Sequence, residues 1–240
     1  EAYVHNGEQL DDKSTKQRFH LILIAKNETG YNNLMYLSSM SYIEGFYYYP
    51  RINKKILKEH SEGLVCSSAC LQGEVSWHLN LSERNVKFGA KGYERAKEVA
   101  LEYKEIFGDD FYLEIMRHGI GDQRRIDDDI LRIAKETGIK VIATNDTHYT
   151  FKERAAAHEV FMCIAMNKTL DDPNRLRHSV HEFFVKSKEQ MNELFLDIPE
   201  VIENTQEIVD KCNLEIKLGN PTPPNFKFTL ECAKERNLTL

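Results

Sequence analysis

From Phe19 to about Lys186, short and nearly continuous apolar runs alternate with longer stretches whose apolar residues recur every three or four positions. The run FHLILIAKN predicts a buried strand, and ETGYNNLMYLSSM, with Tyr31, Leu34, Leu37 and Met40 at helical spacing, predicts a helix after it. GLVCSSAC reads as a second strand. YERAKEVALEYKEIFG places Tyr93, Ala96, Ala100, Tyr103 and Phe107 on one helical stripe, with Gly108 as the expected stop. FYLEIM predicts a third strand, and the helix after it buries Ile126, Ile130, Ile133 and Ala134 and ends at Gly138. IKVIATND predicts a fourth strand, followed by a helix with Ala157, Val160, Phe161 and Ile164 facing inward. Repeated strand-then-helix units with apolar strands predict a parallel sheet covered by helices, and an open sheet and a barrel share that local signal.

Beyond Lys186 the rhythm changes. HEFFVKS reads as a short strand, KEQMNELFLD and PEVIENTQEIVDKCNL as helices, and LGNPTPPNFKF as a linker. The expected division is a β/α unit over 1–186, a helical extension over 187–216, and a linker with the start of a following unit over 217–240. The chain opens on Glu1, directly in a plausible strand, which fits a piece of something longer.

Composition narrows the class. Apolar residues make up 41% and charged residues 29% of the 240, which fits a globular protein rather than a disordered one. The net charge of -6 does not support a basic surface that wraps a nucleic-acid duplex. No apolar run is long enough to span a bilayer, and none resembles a signal peptide. Five cysteines at irregular spacing predict a reducing, cytoplasmic setting rather than a disulfide framework. Cys66 and Cys70 form a C-x3-C with no second pair at zinc-finger spacing.

In parallel β/α folds, side chains that bind ligands collect at the carboxyl ends of strands. That rule selects Ser67, Ser68 and Cys70 after the second strand, Arg117 and His118 after the third, and Asp146 and His148 after the fourth. In extended chain Asp146 and His148 project to one side. Metal binding, acid–base catalysis and a structural hydrogen bond are the three readings of that pair. His20 lies at the start of its strand, where the rule does not select it, and Glu1 is uninterpretable on this ground. The aromatic run at 46–50 reads as a loop packed on its own domain more readily than as a base-stacking surface. Asp127, Asp128 and Asp129 fall on a helix whose solvent face holds most of them. His178 and His181 form an H-x-x-H in a polar loop with no carboxylate partner at useful spacing.

The segments EAYV, HLILIAKNETGYNNLMYLSSMSYIEGFYY, EGLVCSSACLQGE, FYLEIMRHG, VIATNDTHY, KTLDDPNRLR and LFLDIPEVIENTQEIVDKCNLEI occur in this order along nearly the whole chain. In this the sequence resembles the polymerase-and-histidinol-phosphatase (PHP) domain of bacterial replicative DNA polymerase III alpha subunits. The resemblance implies a distorted (β/α)7 barrel whose rim holds up to three divalent metals (Zn, Mn or Mg) at nine ligand positions. Glu1, His20, Cys70, Asp146 and His148 match five of these, and His118 lies beside the site without being one of the nine. The family's first barrel segment, with a His-x-His pair, should precede Glu1, so the barrel is expected to be N-terminally incomplete here. The resemblance further implies DNA synthesis by the whole subunit, with Mg at a polymerase site outside this chain. It implies primer-template DNA, the sliding clamp and a proofreading exonuclease as partners, with no membrane. For the PHP unit itself it leaves open metal-dependent cleavage of a phosphoester, such as a mispaired 3' nucleotide, or a structural and docking role. A free-standing PHP phosphatase is the third alternative.

Overall fold

The computed structural model describes residues 1–219 together with Pro221 and Pro223. Six strands form one open sheet in the order β3-β1-β2-β4-β5-β6: β1 (Ala2–His5), β2 (Phe19–Ala25), β3 (Ile52–Asn53), β4 (Leu64–Ser67), β5 (Phe111–Ile115) and β6 (Lys140–Ala143). The main helices are α1 (Glu28–Ile43), α2 (Lys54–Glu59), α3 (Glu74–Leu79), α4 (Glu83–Lys87), α5 (Tyr93–Phe107), α6 (Gly121–Thr137), α7 (Ala155–Ala165), α8 (Lys188–Leu194) and α9 (Glu200–Lys211). The fold is mixed α/β, and its sheet is not closed among the described residues. The expected linker and following unit at 217–240 lie almost wholly outside the described residues.

The sheet is not all parallel. β4, β5 and β6 run together, but β2 is antiparallel to both of its neighbours, β1 and β4. A helical crossover forces parallel strands only when it returns directly to the adjacent strand. After β2 and α1 the chain instead visits β3, at the far edge beside β1, and then α2 before it returns as β4. An apolar run signals burial on both faces and carries no direction.

Helices α5 and α6 bury the expected stripes. Ala96, Ala100, Tyr103 and Phe107 are covered, as are Ile126, Ile130 and Ile133, and Gly108 and Gly138 end the two helices with φ of 60° and 69°. These stripes meet Leu64, Cys66, Phe111, Leu113, Ile115 and Val141 of the sheet in one continuous core. Each large side chain buried there contributes roughly 1.5–3 kcal/mol. Phe195 and Val201 join the same core, and α9 packs on β6, where Asn204 donates to the Val141 carbonyl at 2.8 Å. Helix α1 begins at Asn27, whose side chain accepts from Gly30 N. Gly30 sits so close to Gly63 that a Cβ there would lie 1.9 Å from the Gly63 carbonyl oxygen.

Two expectations are corrected. In α7 the inner face is Ala155 and Cys163, whereas Ala157 is exposed and Val160, Phe161 and Ile164 are 43%, 68% and 73% exposed. The helix, AAAHEVFMCIA, is apolar on nearly all sides, so its periodicity cannot select the face that turns inward. The strand expected at 181–187 reduces to a single bridge between Tyr149 and Phe184. No helix among the described residues is long and apolar enough to cross a membrane.

Candidate functional site

The antiparallel course of β2 accounts for His20. Because β2 runs against β4, its first residues lie beside the end of β4, on the rim where parallel strands finish. His20 N donates to the Gln72 carbonyl at 3.0 Å, which pins the turn after β4 against the start of β2. Within that turn Ala69 has a φ of 58°, a left-handed conformation that costs a residue with a Cβ about 1–2 kcal/mol. The turn brings Cys70 Sγ to 3.7 Å from His20 Nδ1. His20 pairs with Tyr3 across β1, and strand alternation puts Glu1 on the same face. Glu1 Oε1 lies 2.8 Å from His20 Nδ1.

These three groups set one another's charge. Burial opposes protonation of the His20 ring, but its hydrogen bonds to Cys70 and Glu1 outweigh burial and carry its pKa up to about 9. The bond from His20 holds the Glu1 carboxyl below its usual range, with a smaller contribution from the His148 ring.

The second half of the rim is built differently. Strand β6 ends at Ala143, and Asp146 turns into the left-handed region with a φ of 41°, so the strand alternation expected for Asp146 and His148 does not extend to them. Asp is among the residues that tolerate this conformation. His148 Nδ1 lies 2.6 Å from the Asp146 carbonyl oxygen. A carbonyl accepts, so Nδ1 carries a proton, and in that tautomer Nε2 keeps the lone pair. Carbonyl-oriented imidazoles of this kind are typical of metal ligands. Around His148 stand the rings of His178, His158 and Phe183, at centroid distances of 5.0, 5.6 and 5.3 Å. Burial lowers the pKa of both His158 and His178, and the neighbouring His148 ring lowers both further.

Two buried groups tie the strand ends together. Glu114 in β5 accepts from Ser67 and, at 2.7 Å, from Thr144, while the Ser68 hydroxyl accepts from Glu114 N at 2.9 Å. Burial pushes the Glu114 carboxyl up, against the bonds from Ser67, Thr144 and the Ala69 backbone. His118 donates through Nε2 to the Asn145 carbonyl at 2.9 Å, and its Nδ1 accepts from Gln123 at 2.9 Å. Both of its nitrogens are thus engaged, which leaves it no lone pair for a metal in this arrangement.

The remaining candidates separate. Ser67 and Ser68 serve Glu114, and Cys66 is buried in the core, away from Cys70. Arg117 joins Asp127 at 3.2 Å, the Leu194 carbonyl at 2.8 Å and Asp197, so Asp127 is buried and paired rather than on a solvent face. His181 does have a carboxylate partner, Glu159, at 3.6 Å. In the aromatic loop Tyr49 packs edge-on against Tyr3 beneath Arg18, while Phe46 and Tyr48 are exposed. Glu114 carries a sequence signal that strand reading passes over, a carboxylate inside an apolar run. His158 and His178 carry none, since they meet His148 only through the fold. Glu1, His20 and Cys70 meet through a single ring nitrogen, and among the described residues no three donors converge as a metal cage.

Residues 1–118 match the PHP domain family. The chain is 77% identical over 241 residues to the DNA polymerase III subunit alpha of Campylobacter jejuni, covering 100% of this chain and 20% of that protein. It is 64% identical over 244 residues to the same subunit of Helicobacter pylori, covering 99% of this chain and 20% of that one. It is 39% identical over 227 residues to that of Thermus aquaticus, covering 92% of this chain and 18% of that one. The chain thus spans about a fifth of the length of the relatives it matches.

Proposed function

We propose that this chain, whose residues 1–118 match the PHP domain family and which is similar over its length to a fifth of DNA polymerase III alpha subunits, is the metal-binding PHP module of such a subunit. The observation that supports this reading is the meeting of Glu1, His20 and Cys70 on the rim where the parallel strands finish, the rim on which Asp146 and His148 follow β6. Carboxylate, imidazole and thiol donors suit a borderline cation such as Zn2+, with Mn2+ and Mg2+ the harder alternatives. Between them the five side chains would hold such cations, which when bound would lower the pKa of water and offset charge on a phosphoryl oxygen. The chain's own part is orientation. Glu1 and Cys70 hold the His20 ring, the Asp146 carbonyl holds His148, and Glu114 and His118 fix the loops that carry them. The reaction is cleavage of a phosphoester, such as a mispaired 3' nucleotide.

DNA-templated synthesis belongs to the whole subunit, at a Mg2+ site outside this chain. Its partners are primer-template DNA and replicase subunits, including the sliding clamp and a proofreading exonuclease, and its setting is the cytoplasm. On this reading residues 1–186 form the PHP portion, 187–216 a helical extension, and 217–240 a linker toward the polymerase region. A second reading, favoured by the exposed apolar face of α7, makes the module a docking surface with structural metals. Metal analysis and a 3'-exonuclease assay on the full-length subunit separate the two. The catalytic reading expects Asp146→Ala and His148→Ala to lower both metal content and hydrolysis. Hydrolysis undiminished in both variants contradicts it, and metal loss without prior hydrolysis favours docking.

A further inference from the structure

Two histidines outside the ligand set that the resemblance implies stand against His148. The ring centroids of His148 and His178 are 5.0 Å apart, those of His158 and His178 5.5 Å, and those of His148 and His158 5.6 Å. We propose that His148, His158 and His178 form a three-imidazole site for a zinc-class divalent cation, distinct from the Glu1–His20–Cys70 group. An ion about 2 Å from each of three ring nitrogens at tetrahedral angles sets the ring centroids about 5 Å apart. The observed triangle has that size.

The tautomer of His148 fits the role, because the Asp146 carbonyl takes the proton on Nδ1 and leaves Nε2 for the ion. The rings come from three segments already held side by side. His148 N donates to the Phe183 carbonyl at 2.8 Å, which ties the turn after β6 to the segment that carries His178. Arg175 and His181 both reach Glu159, next to His158 on α7, at 2.8 and 3.6 Å. His181 is thereby committed to a carboxylate, whereas His178 faces the rings of His148, His158 and Phe183. As the side chains stand, no three donors converge among the described residues, so loading takes rotation of the rings. His148 is exposed and the other two are half-buried, which leaves room for that rotation. The bound ion would clip α7 and the 167–187 segment onto the rim.

This inference rests on the reading of His148 as a ligand, and Co2+ substitution in the full-length subunit tests the two separately. A thiolate-to-cobalt charge-transfer band reports the site at Cys70. Visible bands of tetrahedral cobalt that persist in Cys70→Ser report the three-imidazole site. His158→Asn and His178→Gln, which preserve much of the side-chain volume, are expected to weaken the persistent visible bands by at least about tenfold in affinity. The charge-transfer band and the circular dichroism should not change. Visible bands equally strong in both variants and in wild type overturn the three-imidazole site and leave the PHP reading standing. Absence of both bands in wild type overturns the two together. Loss of the charge-transfer band alone in Cys70→Ser, with the visible bands sensitive to His158 and His178, supports both.

Discussion

The two halves of the rim are assembled by different means. Glu1, His20 and Cys70 are placed by strand register and by a turn pinned to the sheet through His20 N. Asp146, His148, His158 and His178 come from a turn, a helix and a loop that meet beyond the last strand. Strand register is rigid, whereas loop-built sites order only when their segments are tied together. The first half is therefore organised by the fold itself, and the second depends on its tethers and on what it binds.

The harshest way to break that contrast is to remove the support common to both halves. Glu114→Ala leaves the Ser67 and Thr144 hydroxyls and the Ala69 amide without their buried acceptor. The expected loss is about 2–4 kcal/mol by denaturant unfolding, with weaker metal binding at both halves. Glu114→Gln should cost much less. It should also flatten the pH dependence, since a carboxyl whose folded pKa is raised favours the fold below its unfolded pKa and loses that contribution as pH rises through the folded value.

His118→Ala sharpens the comparison, because His118 joins Asn145 to Gln123 and touches only the second half. A loss of about 2 kcal/mol is expected. Zinc retention by the His148 half should fall, while that of the Cys70 half, read by thiolate absorption, should hold. Equal losses at both halves would remove the distinction.

Ala69→Gly acts within the turn that carries Cys70. Glycine relieves the left-handed strain at a φ of 58° and is expected to raise stability by up to about 1 kcal/mol in thermal unfolding. Destabilisation would show that the Ala69 side chain contributes more through packing than its conformation costs.

The smallest effect lies away from the rim. The bond from Lys140, with those from Lys211 and Tyr112, holds the Glu207 carboxyl down at about 2. Its stabilisation is present above the unfolded carboxylate pKa and is lost as pH falls toward 2. Glu207→Gln should flatten that acid limb by less than about 1 kcal/mol, since its partner Lys140 lies largely in solvent and the pair is screened. Metal binding at either half should be unchanged.

Elements whose burial is one-sided were legible in the chain. The stripes of α5 and α6, with their terminal glycines, follow from period and cap chemistry. Strand direction was not legible, which is why His20 looked misplaced until β2 proved antiparallel. The inner face of α7 was hidden by an apolar composition on nearly every side. Asp146 and His148 follow shortly after a strand end, as the chain suggests. Their geometry follows from a left-handed turn that no alternation rule anticipates. The approach of His158 and His178 to His148 is purely tertiary, made by α7 and the 167–187 segment closing together.

The central claim is that this rim holds divalent metal through side chains of both halves. Zinc bound by the full-length subunit after exhaustive dialysis, counted by elemental mass spectrometry in wild type, Cys70→Ser and His148→Ala, tests it most directly. Each substitution is expected to lower the bound zinc. Identical zinc content in all three proteins would contradict it.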